Sequence, residues 1–299
     1  MPEKNSKEIY VYVGTYTNDN NSKGIYVYRI NSDSGALEFV STTEGIENPS
    51  FLDIDSQRKH LYSVNEVGEF SGEASGAVTA FSINSKTGEL TYLNQQASRG
   101  EGPCHLSVDK TSQYVLVANY GGGSVSMLPI QQDGKIGAAT DFAQHQGSSI
   151  NPKRQQEPHA HSIMIDPHNR YAFAADLGVD KILIYQLDLA AGKLIPNDHP
   201  WALITPGAGP RHFAFTPNGE YAYLINELDS TITAFTYDTS EGNLDQIQTV
   251  PTLPSDFEDI SHCADIHVSQ SGKFVYGSTR CLLYTSPSPR DATLSRMPY

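Results

Sequence analysis

A pair of short strands joined by a tight turn recurs along this sequence, and few architectures accommodate such a repeat. The copies read FLDIDSQRKHLYSVNE, HLSVDKTSQYVLVANY, SIMIDPHNRYAFAADL, FAFTPNGEYAYLINEL and DIHVSQSGKFVYGSTR. A further copy near the N-terminus keeps only the second strand, YVYVGTY. Aligned, they place Thr15, Asn65, Asn119, Asp176, Asn226 and Thr279 at one repeat position, with successive copies roughly 50 residues apart. Between copies lie two more strand candidates, such as TITAFTYD and LDQIQTV, separated by the turn-forming segment 240–243. Four antiparallel strands per unit of this length predict an all-β chain, a β-propeller whose blades bury their apolar faces against one another. The 17 Tyr, 24 Gly and 17 Pro suit many short strands and tight turns.

The N-terminal copy lacks a first strand and the last copy stops after its second. The expectation is therefore a seven-bladed propeller of four-stranded antiparallel blades that is incomplete in this chain, with about six partial blades. From Cys281 the segment CLLYTSPSPRDATLSRMPY has neither strand alternation nor turn logic. It is similar to a translated sequencing-library adapter, so the propeller domain is expected to span residues 1–280 and residues 281–299 to be a non-native tail.

A formal net charge of −14 disfavours nucleic acid and anionic membranes as partners. No run of about 18 apolar residues occurs, and MPEKNSKEIYVYVGTYT has no secretory-signal pattern, which predicts a soluble cytoplasmic protein. Cys104, Cys263 and Cys281 are too few and scattered for a disulfide framework or a four-ligand zinc site and are read as reduced thiols. No feature of the sequence fixes an oligomeric state.

In a propeller the start of strand one and the end of antiparallel strand two emerge on the same face. Repeat phase puts Ser50, Cys104, His161, Arg211 and Ala264 at the first place, and Tyr16, Glu66, Tyr120, Leu177, Glu227 and Arg280 at the second. His161, Arg211, Arg280, Glu66 and Glu227 should then converge at one mouth. Converging charges there point to a ligand site, because desolvated charges are costly unless paired or engaged; a salt-bridged ring between blades is the structural alternative. His159 and His161 are spaced to share a face, but no third ligand stands at metal-site spacing, so no metal is expected. Gly121–Gly123 leads into another strand and is read as a bend, not a phosphate loop. No G-x-S-x-G nucleophile elbow is present.

YVGTYT, EPHAHS, GPRHFAFTPNGEYAYLINELDSTITAF and SHCADIHVSQSGKFVYGSTR resemble, in order, the lactonase family of seven-bladed propellers, over about residues 9 to 280. The resemblance implies hydrolysis of 6-phospho-D-glucono-1,5-lactone to 6-phosphogluconate in the pentose phosphate pathway. A related branch of the family cyclises carboxy-cis,cis-muconate, and the residues proposed as catalytic there match His161, Arg211, Glu227 and Arg280 in this sequence. Glu66, His159, His212 and Asn119 are assigned to substrate binding, and no cofactor is expected. Either Glu227 or His161 would serve as the base, with Arg211 on the oxyanion and Arg280 on a carboxylate or phosphate. Lactone formation and a non-catalytic binding module remain the rival readings. The Gly-His-Asp-Ser continuation usual in the family after the final Arg is missing.

Overall fold

The computed structural model describes residues 8–18 and 22–280. The tail assigned to residues 281–299 lies outside the described residues. Every regular element among those described is a strand, and the sheets follow one another along the chain as antiparallel meanders.

The first sheet has three strands, Ile9–Val13, Gly24–Ile30 and Leu37–Glu44. Four-stranded blades begin at Leu52, Pro103, Ala160 and Pro210, and a final pair comprises Cys263–Val268 and Val275–Thr279. This is the blade order that the repeat predicts. A small extra hairpin, Glu69–Phe70 with Glu73–Ala74, rises from the second blade and has no counterpart in the repeat.

In the second, third and fourth blades the turn from strand one to strand two is built on one device. The carboxylate of Asp109 accepts the backbone N–H groups of Gln113 (2.6 Å) and Tyr114 (2.7 Å), and Asp166 does the same for Arg170 (2.6 Å) and Tyr171 (2.9 Å). Asp55 repeats it with Lys59 and His60. Such a turn needs one residue in the left-handed region, and Arg58, Ser112 and Asn169 occupy it at φ of 56°, 57° and 60°. The short polar side chain thus closes the turn that sets the register of the two innermost strands.

Apolar faces of successive blades pack into separate walls. The wall between the fourth and fifth blades is the most aromatic: Phe173, fully buried, meets Phe213, Phe215 and Tyr237 with ring centroids 5.2–5.6 Å apart. The wall before it is aliphatic, with Leu116, Val125, Met127 and Ile163 at its centre. Because each wall needs two blades, the repeat has to continue for any blade to be stable.

Candidate active site

Strand one of the third, fourth and fifth blades carries the same irregularity. Pro103 pairs with Asn119 and His105 with Ala118, leaving Cys104 unpaired between them. Ala160 and Ser162 bracket His161 in the same way, and Pro210 and His212 bracket Arg211. The sixth blade shifts register between Cys263 and Ile266. A one-residue bulge of this kind re-aims the extra side chain. Three consecutive bulges therefore direct Cys104, His161 and Arg211 into one cavity of about 380 Å³.

The ends of strand two supply the facing side chains, Tyr16, Glu66, Tyr120, Glu227 and Arg280, and Ser50, Phe51, His212 and, from a connection, Arg154 complete the lining. Leu177 and Ala264, at the same repeat positions, do not reach it: Leu177 is fully buried, and Ala264 offers its carbonyl to the Arg211 Nη1. The sequence-derived mouth is thus one cavity in the structure.

Glu227 is the hub. Its Oε1 accepts a hydrogen bond from Arg154 Nη2 (2.8 Å) and its Oε2 one from Arg211 Nε (3.0 Å), while His161 Nε2 lies 3.7 Å from Oε2. Burial alone would raise the Glu227 carboxyl, but Arg154, Arg211 and Arg280 outweigh it and hold it below the usual carboxylate range. Arg211 is itself lowered by burial and by Arg280, yet a guanidinium stays charged. On the opposite side Glu66 Oε2 accepts from Tyr16 Oη (2.7 Å) and Ser50 Oγ (2.5 Å). The lining holds three guanidinium groups against two carboxylates, a local cationic excess in a strongly acidic chain. The Arg280 guanidinium has no hydrogen-bond or ion-pair partner among the described residues, whereas Arg154 and Arg211 are both tied to Glu227.

Arg154 was not foreseen. It comes from the long connection between Asp141–Gln144 and Ala160–Ile165, which has no repeat phase, and is held by Tyr120 Oη (3.1 Å) and Glu227. Its signal in the sequence was only the unusual length of that connection.

Two residues assigned to substrate binding stand elsewhere. Asn119 is fully buried, and its amide donates to Ser98 O and to the hydroxyls of Ser124 and Ser126, so it ties its own blade together and to the connection from the second blade. Strand alternation explains this: Tyr120 faces the cavity, so its predecessor faces away. His159 stacks on Tyr120 (4.6 Å) and pairs through Nδ1 with the Tyr120 carbonyl (3.0 Å), behind the cavity lining. The bulge at His161 interrupts the alternation that would have put the two histidines on one face. Among the described residues no cluster of three His, Cys, Asp or Glu side chains is arranged to hold a metal ion.

Beneath the carboxylate hub lie three imidazoles. His212 is 5.4 Å from His161 and 5.1 Å from His105, ring centre to ring centre, and His105 packs on Phe51 at 4.1 Å. Burial is the chief cause that pushes all three below the ordinary histidine value of 6.5, assisted by Arg211 beside His161 and by His212 beside His105. Their protonation is disfavoured in the folded protein, although Asp265 beside His212 (2.7 Å) partly offsets this, so below about pH 6.5 an unfolded chain takes up protons at these positions more readily than the folded one. Stability should therefore fall as pH drops from 7.5 to 5.5, by about 1.4 kcal/mol per pH unit for each proton taken up on unfolding. His267, whose pKa Asp265 raises, opposes one of the three. Thermal melts across this range test the sign; a midpoint that is flat or rises toward pH 5.5 contradicts it.

The fold and the cavity define a class: this chain belongs to the family described as lactonase, seven-bladed β-propeller, whose pattern matches residues 10–291. Among individual relatives, the 6-phosphogluconolactonase of Bacillus subtilis is 38% identical over 270 residues, covering 90% of this chain and 74% of that protein. A solved structure from Bacteroides fragilis superposes with a TM-score of 0.85 at 37% identity, covering 94% of this chain and 77% of the other. The periplasmic gluconolactonase of Pseudomonas aeruginosa gives 0.84 at 31% identity, covering 91% and 76%.

Proposed function

We propose that this protein hydrolyses 6-phospho-D-glucono-1,5-lactone to 6-phosphogluconate, the lactone-opening step of the pentose phosphate pathway. The observation that carries the reading is the cationic cavity: a buried arginine-carboxylate hub together with an imidazole nitrogen and an arginine that have no hydrogen-bond partner among the described residues, assembled in a chain whose relatives include 6-phosphogluconolactonases.

The acid–base role falls to His161. Both oxygens of Glu227 are committed to arginines and its proton affinity is lowered, which makes it a poor base. His161 is neutral, and its Nε2 has no hydrogen-bond partner among the described residues. A water within reach of Nε2 and Glu227 Oε2 donates a hydrogen bond to each while keeping both of its protons. As its oxygen attacks the lactone carbonyl, His161 takes its proton, Arg211 neutralises the developing oxyanion, and Glu227 stabilises the imidazolium. Collapse of the tetrahedral intermediate breaks the bond from the carbonyl carbon to the ring oxygen, which recovers the proton from His161.

Arg280 is assigned to the phosphate, since its guanidinium lines the cavity without a partner among the described residues and matches a phosphoryl group in charge and geometry. The assignment predicts that Arg280→Met raises KM for the phosphorylated lactone about tenfold or more and leaves KM for unphosphorylated glucono-1,5-lactone within about twofold. An equal rise for both lactones removes Arg280 from phosphate recognition. The cytoplasm is the compartment proposed, because a phosphorylated substrate does not cross a bilayer unaided.

A further inference from the structure

The base proposed above needs a lone pair on Nε2, so its proton must sit on Nδ1, and a neighbouring thiol bears on that placement. Cys104 and His161 are the bulged residues of adjacent blades, which brings the thiol against the imidazole edge that faces away from Glu227. Cys104 Sγ lies 3.6 Å from His161 Nδ1, 3.3 Å from the His161 carbonyl oxygen and 3.8 Å from the Ala160 carbonyl oxygen. A carbonyl oxygen can only accept, and the thiol has a single proton. The S–H is therefore spent on a carbonyl, the nearer being that of His161, and the sulfur lone pairs are left facing Nδ1. The contact is favourable only when Nδ1 carries hydrogen.

We propose that Cys104 is a positioning residue that fixes His161 as the tautomer protonated on Nδ1 and bare on Nε2. The other tautomer would set a bare Nδ1 against sulfur lone pairs and present an N–H instead of a lone pair to the water between Nε2 and Glu227 Oε2, which lie 3.7 Å apart. Tyr120 and His212 hold the ring edge-on at 5.1 and 5.4 Å, so a flip does not offer an easy escape. Burial raises the Cys104 thiol far above its ordinary value, which keeps it in the S–H form that the arrangement requires and makes it a poor nucleophile. Its catalytic consequence rests on the reading of His161 as base.

Nitrogen-15 spectra of the histidine-labelled protein, with His161 assigned by its absence in His161→Gln, test the tautomer independently of activity. The expected result is a protonated Nδ1 and a bare, pyridine-like Nε2 in the parent protein at pH 7.5. Cys104→Ala should populate the Nε2–H form and lower kcat about tenfold or more with KM little changed, and Cys104→Ser, whose hydroxyl repeats the donor and acceptor pattern, should restore the tautomer and most of kcat. An Nε2-protonated His161 in the parent protein, or a tautomer indifferent to Cys104→Ala, overturns the proposal whatever the activity. A tautomer that shifts in Cys104→Ala while kcat is unchanged upholds the role of Cys104 and overturns instead the role of His161 as base.

Discussion

Arg211→Met should lower kcat/KM for lactone hydrolysis by about 10²- to 10³-fold, the usual cost of removing one preorganised donor to an oxyanion. The bulge at Arg211 aims its guanidinium into the cavity, where Nε is fixed by Glu227 (3.0 Å) and Nη1 by the Ala264 carbonyl. It therefore reaches the transition state already oriented and largely stripped of water. The same substitution leaves Glu227 Oε2 without its partner, although Oε1 keeps Arg154. Some stability should be lost for that reason, since breaking a buried pair from one side strands a charge. The double variant Arg211→Met/Glu227→Gln separates the two effects: it should recover most of the lost stability and none of the lost activity. Recovery of turnover in the double variant would mean that Arg211 serves only to neutralise Glu227.

Phe173→Ala should destabilise the protein by about 3–5 kcal/mol, the range for deleting a buried aromatic ring. Phe173 is fully buried at the centre of the wall between the fourth and fifth blades, touching Phe213, Phe215 and Tyr237. These rings come from both blades and lock one against the other, so the space left by the alanine cannot close without moving a whole sheet. Urea unfolding followed by circular dichroism measures the change. A loss under about 1 kcal/mol would mean that the wall repacks and that the blades are less rigid than their interlocking rings imply.

The blades were legible in the sequence because each strand pair carries its own turn chemistry: Asp55, Asp109 and Asp166 close the same turn at the same phase. The site was legible for a related reason. Counting by repeat brought His161, Arg211, Glu227 and Arg280 together although no motif marks the bulges, because the bulge recurs at one position and preserves the phase from blade to blade. Two assignments made outside that count stand apart from the cavity. His159 was set beside His161 by simple alternation, which the bulge breaks, and Asn119 was taken for a cavity residue although its neighbour Tyr120 holds that side of the strand. Arg154 lay beyond reach because its loop repeats nothing. Cys104 was in phase, but its use emerged only from the two carbonyls and the imidazole around its sulfur.

The central claim is that this cavity opens a phosphorylated sugar lactone. The most direct measurement is base uptake during hydrolysis of freshly generated 6-phospho-D-glucono-1,5-lactone, with the protein and its Arg211→Met variant compared at equal concentration and both shown to be folded. The account predicts hydrolysis well above the spontaneous rate with the parent protein and a collapse toward that rate with the variant. A folded parent protein that leaves the spontaneous rate unchanged would contradict it.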